Sequence, residues 1–234
     1  MTRRYLVVDD NLEFAENVAE ILTDAGAEVS VAAGGKSALE QLKLTRFDGI
    51  VTDMKMPGLS GTELLRQLRQ IDPGVPVVLL SAWAQDAQVA EARRMGLLAF
   101  LSKASGTQHL IELMASARRD ATIVLIDDDR ALVDNLTEAL ASAGFTVCPA
   151  STVKELDALS VHPLAALVDI CVPGTSDGAA LTRIKELFPG IPMLVVTARS
   201  DFEGEQEQDV FHKPFDTAKL VAWLQAIASK VGTT

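Results

Sequence analysis

A fixed order of five side chains occurs twice along the 234 residues. Asp9 and Asp10 come first, followed by Asp53, Ser81 and Lys103. Further on the order repeats as Asp127 and Asp128, Asp169, Thr197 and Lys213. Three carboxylates gathered at low dielectric repel one another strongly. A hard divalent cation relieves that repulsion, and Mg2+ typically takes one or two carboxylates together with water and phosphate oxygens. An ionised aspartate beside such a cation is a nucleophile toward phosphorus and can form an aspartyl phosphate. The transfer itself needs mainly positioning and charge neutralisation. The lysine would neutralise one phosphoryl oxygen, and the hydroxyl would hydrogen-bond another. Taken singly, the residues have ordinary explanations. Asp10-Asn-Leu-Glu13 reads as a capping box, and Asp53 as an Asx turn before Pro57-Gly58. Lone lysines and hydroxyls are common on surfaces. The chemistry rests on the ordered set and on its recurrence.

The chain must bring these residues to one edge, and its patterning does so. Tyr5-Leu-Val-Val-Asp-Asp10 resembles Ile123-Val-Leu-Ile-Asp-Asp128 at an offset of 118. Thr52-Asp-Met-Lys-Met-Pro-Gly58 resembles Val168-Asp-Ile-Cys-Val-Pro-Gly174 at an offset of 116. The second offset also maps Asp72-Pro-Gly-Val-Pro onto Phe188-Pro-Gly-Ile-Pro. A repeat this long indicates a duplicated domain rather than a solenoid of short units. Short apolar runs occur at 5–8, 27–31, 49–52, 75–80 and 97–101, and again at 122–126, 145–147, 164–168, 191–196 and 210–211. They suit strands buried on both faces of a parallel sheet. Between the first two, Phe14, Val18, Ile21 and Leu22 recur at helical spacing, and Gly26 is a natural stop. Strand and helix alternating five times per half predicts a doubly wound α/β architecture. In such sheets ligands bind beyond the carboxyl ends of the strands. Those ends carry the three carboxylates, the hydroxyl and the ammonium.

The set resembles the receiver domain of two-component response regulators, over two copies of about 115 residues each on a domain-sized scale. The resemblance implies two flavodoxin-like (βα)5 domains with five-stranded parallel sheets, spanning residues 1–119 and 120–234. It implies Asp53 and Asp169 as phosphoacceptors and Mg2+ as the cofactor. Asp10 and Asp128 would bind the ion directly, with Asp9 and Asp127 acting partly through water. Asp53, Asp169 and the backbone carbonyls of Lys55 and Cys171 would complete the metal sites. Ser81 and Thr197 would be the switch hydroxyls, with Phe100 the switch aromatic. Lys103 and Lys213 would bind phosphate. A sensor histidine kinase or histidine phosphotransfer protein would be the donor, and a receiver face could support a homodimer.

The second copy departs from the first. Lys103 precedes Ala104, where the family usually has the Pro that Lys213-Pro214 keeps, so Lys103–Ala104 is expected to be trans. Ser81 to Lys103 is 22 positions, but Thr197 to Lys213 is only 16. The fourth helix of the second domain is therefore expected to be short or missing. Val210 stands where the first domain has Phe100. Lys55 with Trp83, and Cys171 with Arg199, would flank a bound phosphoryl group and could slow its hydrolysis.

Composition narrows the function classes. Up to Arg118 there are 12 basic and 15 acidic residues, and beyond it 9 and 17, giving net charges of −3 and −8. Neither half carries the basic footprint of a nucleic-acid binder. No apolar run suits a membrane span, and the N-terminus is too short in apolar residues for a signal peptide. Cys148 and Cys171 have no metal spacing, and His109, His162 and His212 no triad or metal spacing. A cytoplasmic chain follows. Asp53-Met-Lys and Asp169-Ile-Cys lack the acid that would favour an aspartate-nucleophile hydrolase, so a non-enzymatic signalling module is expected. The alternative is an adaptor in which one receiver is structural or dimerising, and the chain could be the N-terminal part of a longer regulator. Only Arg119-Asp-Ala separates the halves, so they are expected to sit close together.

Overall fold

The structure, a computed structural model, describes residues 2–82, 86–104, 107–159, 161–173, 178–202 and 209–231. The first half runs β1 (Arg4–Val8), α1 (Leu12–Asp24), β2 (Glu28–Ala32), α2 (Gly35–Leu44), β3 (Gly49–Asp53), α3 (Gly61–Ile71), β4 (Val77–Ser81), α4 (Asp86–Arg94), β5 (Ala99–Ser102) and α5 (Thr107–Ser116). The second runs β6 (Thr122–Ile126), α6 (Arg130–Ser142), β7 (Thr146–Ala150), α7 (Val153–Leu156), β8 (Ala165–Val168), α8 (Ala179–Leu187), β9 (Met193–Thr197), β10 (Asp209–His212) and α9 (Thr217–Val231).

Each half builds one five-stranded parallel sheet, ordered β2-β1-β3-β4-β5 and β10-β9-β8-β6-β7. Both have the flavodoxin-like order, in which the crossover direction reverses beside the first strand. The central strands explain themselves: β3, β4 and β6 are buried along their whole length. Because successive side chains point to opposite faces, each sheet feeds two cores. Leu6, Val8, Ile50, Val77 and Leu79 join one layer, and Tyr5, Val7, Val51, Val78 and Leu80 the other. The same alternation sends Ile123, Leu125, Leu167 and Val196 one way and Val124, Ile126, Val168 and Val195 the other. α3 supplies Leu64, Leu65 and Leu68, all wholly buried, each contributing about 1.5–3 kcal/mol by removal from water.

Several boundaries differ from the sequence expectation, for physical reasons. β4 starts at Val77, not at 75, because Pro76 has no N–H to place in the ladder, although its carbonyl accepts from Ile50. β7 runs on through Pro149 to Ala150, which an edge strand tolerates. Asn11, not Asp10, caps α1, accepting from the Phe14 N–H at 3.1 Å. Asp129 caps α6 in the same manner. The capping-box reading of Asp10 is thereby corrected. In the second half α7 is a single turn, an abbreviation that the sequence reading did not anticipate. Asp157, at its end, is held by Arg183 of α8 at 2.7 Å. β9 leads to β10 with no helix among the described residues; residues 203–208 lie outside them. The cis peptide among the described residues is Lys213–Pro214.

The two halves are stitched together at their join. Arg119 makes a two-pronged pair with Asp72 at 2.6 and 2.7 Å and also donates to the Phe47 carbonyl. The Asp120 N–H donates to the Gly74 carbonyl at 2.9 Å, and the Arg118 N–H to the Gly144 carbonyl at 3.0 Å. Nearby, the buried Arg69 donates to the carbonyls of Met95, Pro73, Val75 and Gly96. These groups at the end of α3 and after α4 would otherwise be orphaned. Burial lowers the Arg69 pKa to about 10, leaving it charged near neutral pH. Cys148 of β7 packs beside it, and burial pushes that thiol up to about 12, so it acts as a small apolar group.

Candidate functional site

β1 and β3 end side by side at the carboxyl edge of the first sheet, and this places Asp9 next to Asp53. Asp9 is 1% exposed and Asp53 6%, whereas Asp10 is exposed. Carboxylate oxygens of the three can lie within 4.8 Å of one another. β5 delivers Lys103, whose Nζ sits 2.6 Å from Asp9 Oδ2 and 3.0 Å from Asp53 Oδ1. The backbone turns back on both acids: the Asn11 N–H donates to Asp9 at 2.9 Å, and the Lys55 N–H to Asp53 at 3.2 Å. Ser81 is buried at the end of β4, and its carbonyl accepts from the Lys103 N–H at 2.9 Å.

The second edge repeats this arrangement. Asp127 and Asp169 are 1% and 5% exposed, Asp128 is exposed, and the three meet the same 4.8 Å limit. Lys213 Nζ lies 2.6 Å from both Asp127 and Asp169. The Asp129 N–H donates to Asp127 at 3.0 Å and the Cys171 N–H to Asp169 at 2.8 Å. The buried Thr197 accepts from the Arg199 N–H at 3.1 Å, its carbonyl accepts from the Lys213 N–H at 2.8 Å, and Cys171 Sγ stands 4.0 Å from its hydroxyl.

The electrostatics follow from burial and from like charge. Burial raises the Asp53 pKa, as does Asp9, while the hydrogen bond and charge of Lys103 pull it down without cancelling the rise. Asp127 is raised for the same reasons, with Lys213 opposing and Asp169 adding to the rise. Burial alone would lower both lysines, but two carboxylates each outweigh it and leave Lys103 and Lys213 raised. Each edge is thus a buried, anion-rich notch held by one cation. Its oxygen-only donor set suits a hard divalent ion. With such an ion bound, the carboxylates would be neutralised without being protonated.

All of the sequence-selected acids, hydroxyls and lysines come together at these two edges. Phe100 does not: it is half-buried on β5, facing the second half. Trp83 lies outside the described residues. Sequence reasoning missed Phe14, whose ring lies 4.6 Å beneath the Lys103 ammonium. Its helical spacing had marked it only as core. It also missed the capping roles of Asn11 and Asp129, which aim backbone N–H groups at the first acid of each notch.

A doubly wound parallel sheet with an acidic, lysine-bridged carboxyl edge defines a class of phosphoryl- or metal-binding α/β proteins. The response regulator receiver domain family matches residues 5–115. A response regulator receiver protein of Anaeromyxobacter sp. (strain Fw109-5) is 46% identical over 233 residues, covering 99% of this chain and 98% of its own. The chemotaxis protein CheY of Thermotoga maritima is 31% identical over 115 residues, covering 49% of this chain and 96% of its own. A CheY-like receiver domain structure from Methanospirillum hungatei JF-1 covers 49% of this chain and 92% of its own, at 26% identity and a TM-score of 0.48. The chain belongs to the response regulator receiver proteins of two-component signalling. No helix among the described residues is long and apolar enough to cross a membrane.

Proposed function

We propose that this chain is a regulator with two receiver domains, residues 1–119 and 120–234, each taking a phosphoryl group from a histidine kinase or phosphotransfer protein. Asp53 and Asp169 are the acceptors. The observation that carries this reading is the repeated notch: a nearly buried aspartate, a second acid at its side and a lysine bridging the two. Asp9, Asp10 and Asp53 in one notch, and Asp127, Asp128 and Asp169 in the other, would hold Mg2+ with the carbonyls of Lys55 and Cys171. An oxygen of Asp53 or Asp169 attacks phosphorus, the bond from phosphorus to the donor's imidazole nitrogen breaks, and the imidazole leaves with a proton. Lys103 or Lys213 then releases its carboxylate to pair with a phosphoryl oxygen. Ser81 or Thr197 offers its hydroxyl to another. The product is a modified side chain that alters contacts, the output of a signalling module.

Acetyl phosphate with Mg2+, followed by intact mass, tests this directly. Two added phosphoryl groups are expected on the wild type, and one on Asp53→Asn or Asp169→Asn. A wild-type mass that never changes, in a chain with a native circular dichroism spectrum, refutes the reading. One group lost only in a single variant would leave the other half as a structural or dimerising partner.

A further inference from the structure

We infer that the two acidic notches are energetically coupled, because the seam packs α4 and α5 of the first half on β7 and α6 of the second, and β5, which lies between α4 and α5 in the chain, and α6 each run directly into a notch. The inference rests on the acceptor roles proposed above. On the first side, β5 is an edge strand. Its residue Phe100 faces the seam, and three residues later Lys103 is bound to Asp9 and Asp53. β4 is locked to it in register, Leu79 beside Phe100 and Ser81 beside Ser102. On the second side, α6 lies in the seam and begins at the other notch. Its cap Asp129 accepts from the N–H groups of Ala131 and Leu132, and its own N–H donates to Asp127.

The seam is packed rather than grazing. Ala141 of α6, 6% exposed, belongs to the same apolar layer as Leu98, Leu110 and Leu113 of the first half. A Cβ on Gly144 would meet the Ser116 carbonyl oxygen at 2.0 Å, and one on Gly96 would meet Cys148 Sγ at 3.3 Å. Arg93 of α4 pairs with Asp134 of α6 at 2.9 Å. Two cavities of about 410 and 650 Å³ flank that pair, and Arg93, Phe100 and Asp134 line both.

A phosphoryl group on Asp53 places new anionic oxygens beyond the carboxylate that Lys103 now holds. Lys103 and Ser81 must re-aim, and both are fixed to the β4–β5 edge. The displacement falls on Phe100 and α4, and so on α6, whose first turn sets the N–H that holds Asp127. Packed interfaces respond by switching between arrangements more readily than by bending. Binding at either notch must then alter the other by the same factor.

Beryllium fluoride in saturating Mg2+, a stable mimic of the acyl phosphate, tests the coupling in the full chain. Fluorine NMR resolves a resonance for each filled site in wild type, Asp53→Asn, Asp169→Asn and Ala141→Arg. Coupling predicts that the affinity of each notch in wild type differs from its affinity in the opposite single variant by about fivefold or more, equally in both directions. Ala141→Arg, which forces the seam apart, should bring the two sites to within about twofold of those isolated affinities. Its circular dichroism and its two filled resonances report that it still folds. Two filled sites with affinities unchanged in every variant overturn the coupling and leave the acceptor reading intact. One filled site overturns it for this chain, and no filled site overturns both.

Discussion

Replacing Lys103 with Met should expose how much of the first half's stability is held in its notch. Asp9 and Asp53 are nearly buried, and their oxygens come within 4.8 Å. At that distance, and at an effective dielectric of about 20, two unit charges repel by roughly 3.5 kcal/mol. Lys103 now offsets this from 2.6 and 3.0 Å. Met fills a similar volume but leaves the repulsion unopposed, so a loss of about 3–5 kcal/mol is expected without Mg2+, as for other broken buried pairs. The pH dependence has a definite sign. The folded pKa of Asp53 lies above its ordinary value of 3.8, so folding is favoured as pH falls through the raised value and penalised as pH rises above it. Removing Lys103 pushes Asp53 further up. The deficit should therefore be full at neutral pH and above and shrink as pH is lowered through the raised Asp53 value. The Lys103 pKa is itself raised above 10.5, so the wild-type ammonium stays charged throughout that range. Native-state hydrogen exchange of β1 and β3 amides, in chelator and over this pH range, measures the effect locally. Asp9→Asn in the Lys103→Met background removes one of the clashing charges and should return about 2 kcal/mol or more. A deficit under about 1 kcal/mol, one independent of pH, or one that Asp9→Asn does not rescue would refute the electrostatic account.

Three further outcomes follow from the same structure. Adding Mg2+ to the wild type should raise both unfolding midpoints by mass action, and Asp10→Asn or Asp128→Asn should weaken the rise for its own half; a calorimetric scan reads this. Arg69→Met should cost about 3 kcal/mol or more, because several buried carbonyls lose the donor they share, as chemical denaturation will show. Gly144→Ala and Gly26→Ala start from similar φ values of 89° and 96°. A Cβ on Gly26 meets nothing within 4 Å, whereas on Gly144 it strikes the Ser116 carbonyl oxygen. Gly26→Ala should cost only the backbone strain of about 1–2 kcal/mol. Gly144→Ala should cost clearly more and loosen exchange protection in α5 and α6.

Much of this was legible in the order of residues. A parallel sheet buries its strands on both faces, so 49–52 and 122–126 read as near-continuous apolar runs, and the strands that build the notches declared their carboxyl ends by the polar residues that stop them. The duplication gave the same notch twice, and a repeated constellation is hard to mistake for scattered surface charge. The missing six residues between Thr197 and Lys213 pointed to a shortened or lost helix, and the described part of that connection, 198–202, carries none. Local capping was read less well. Asp10 and Asn11 are both good caps by type, and only the backbone direction decided that Asn11 takes the α1 N–H while the carboxylate of Asp10 remains exposed.

The sequence by itself determined the alternation of strand and helix, and the order of the two strand-end aspartates proposed as acceptors and of their neighbours. Those follow from periodicity and residue type, which are local properties. Which chain segments share the seam was decided only by the tertiary structure. Nothing in the spacing of Ala141, Gly144 or Cys148 says that they will meet Leu98, Ser116 and Gly96, because contacts between two already folded sheets depend on shape. The same holds for Phe14 under Lys103 and for Arg69 among its carbonyls. Each partnership joins residues far apart in the chain or turns on a side chain's direction, and packing alone fixes both.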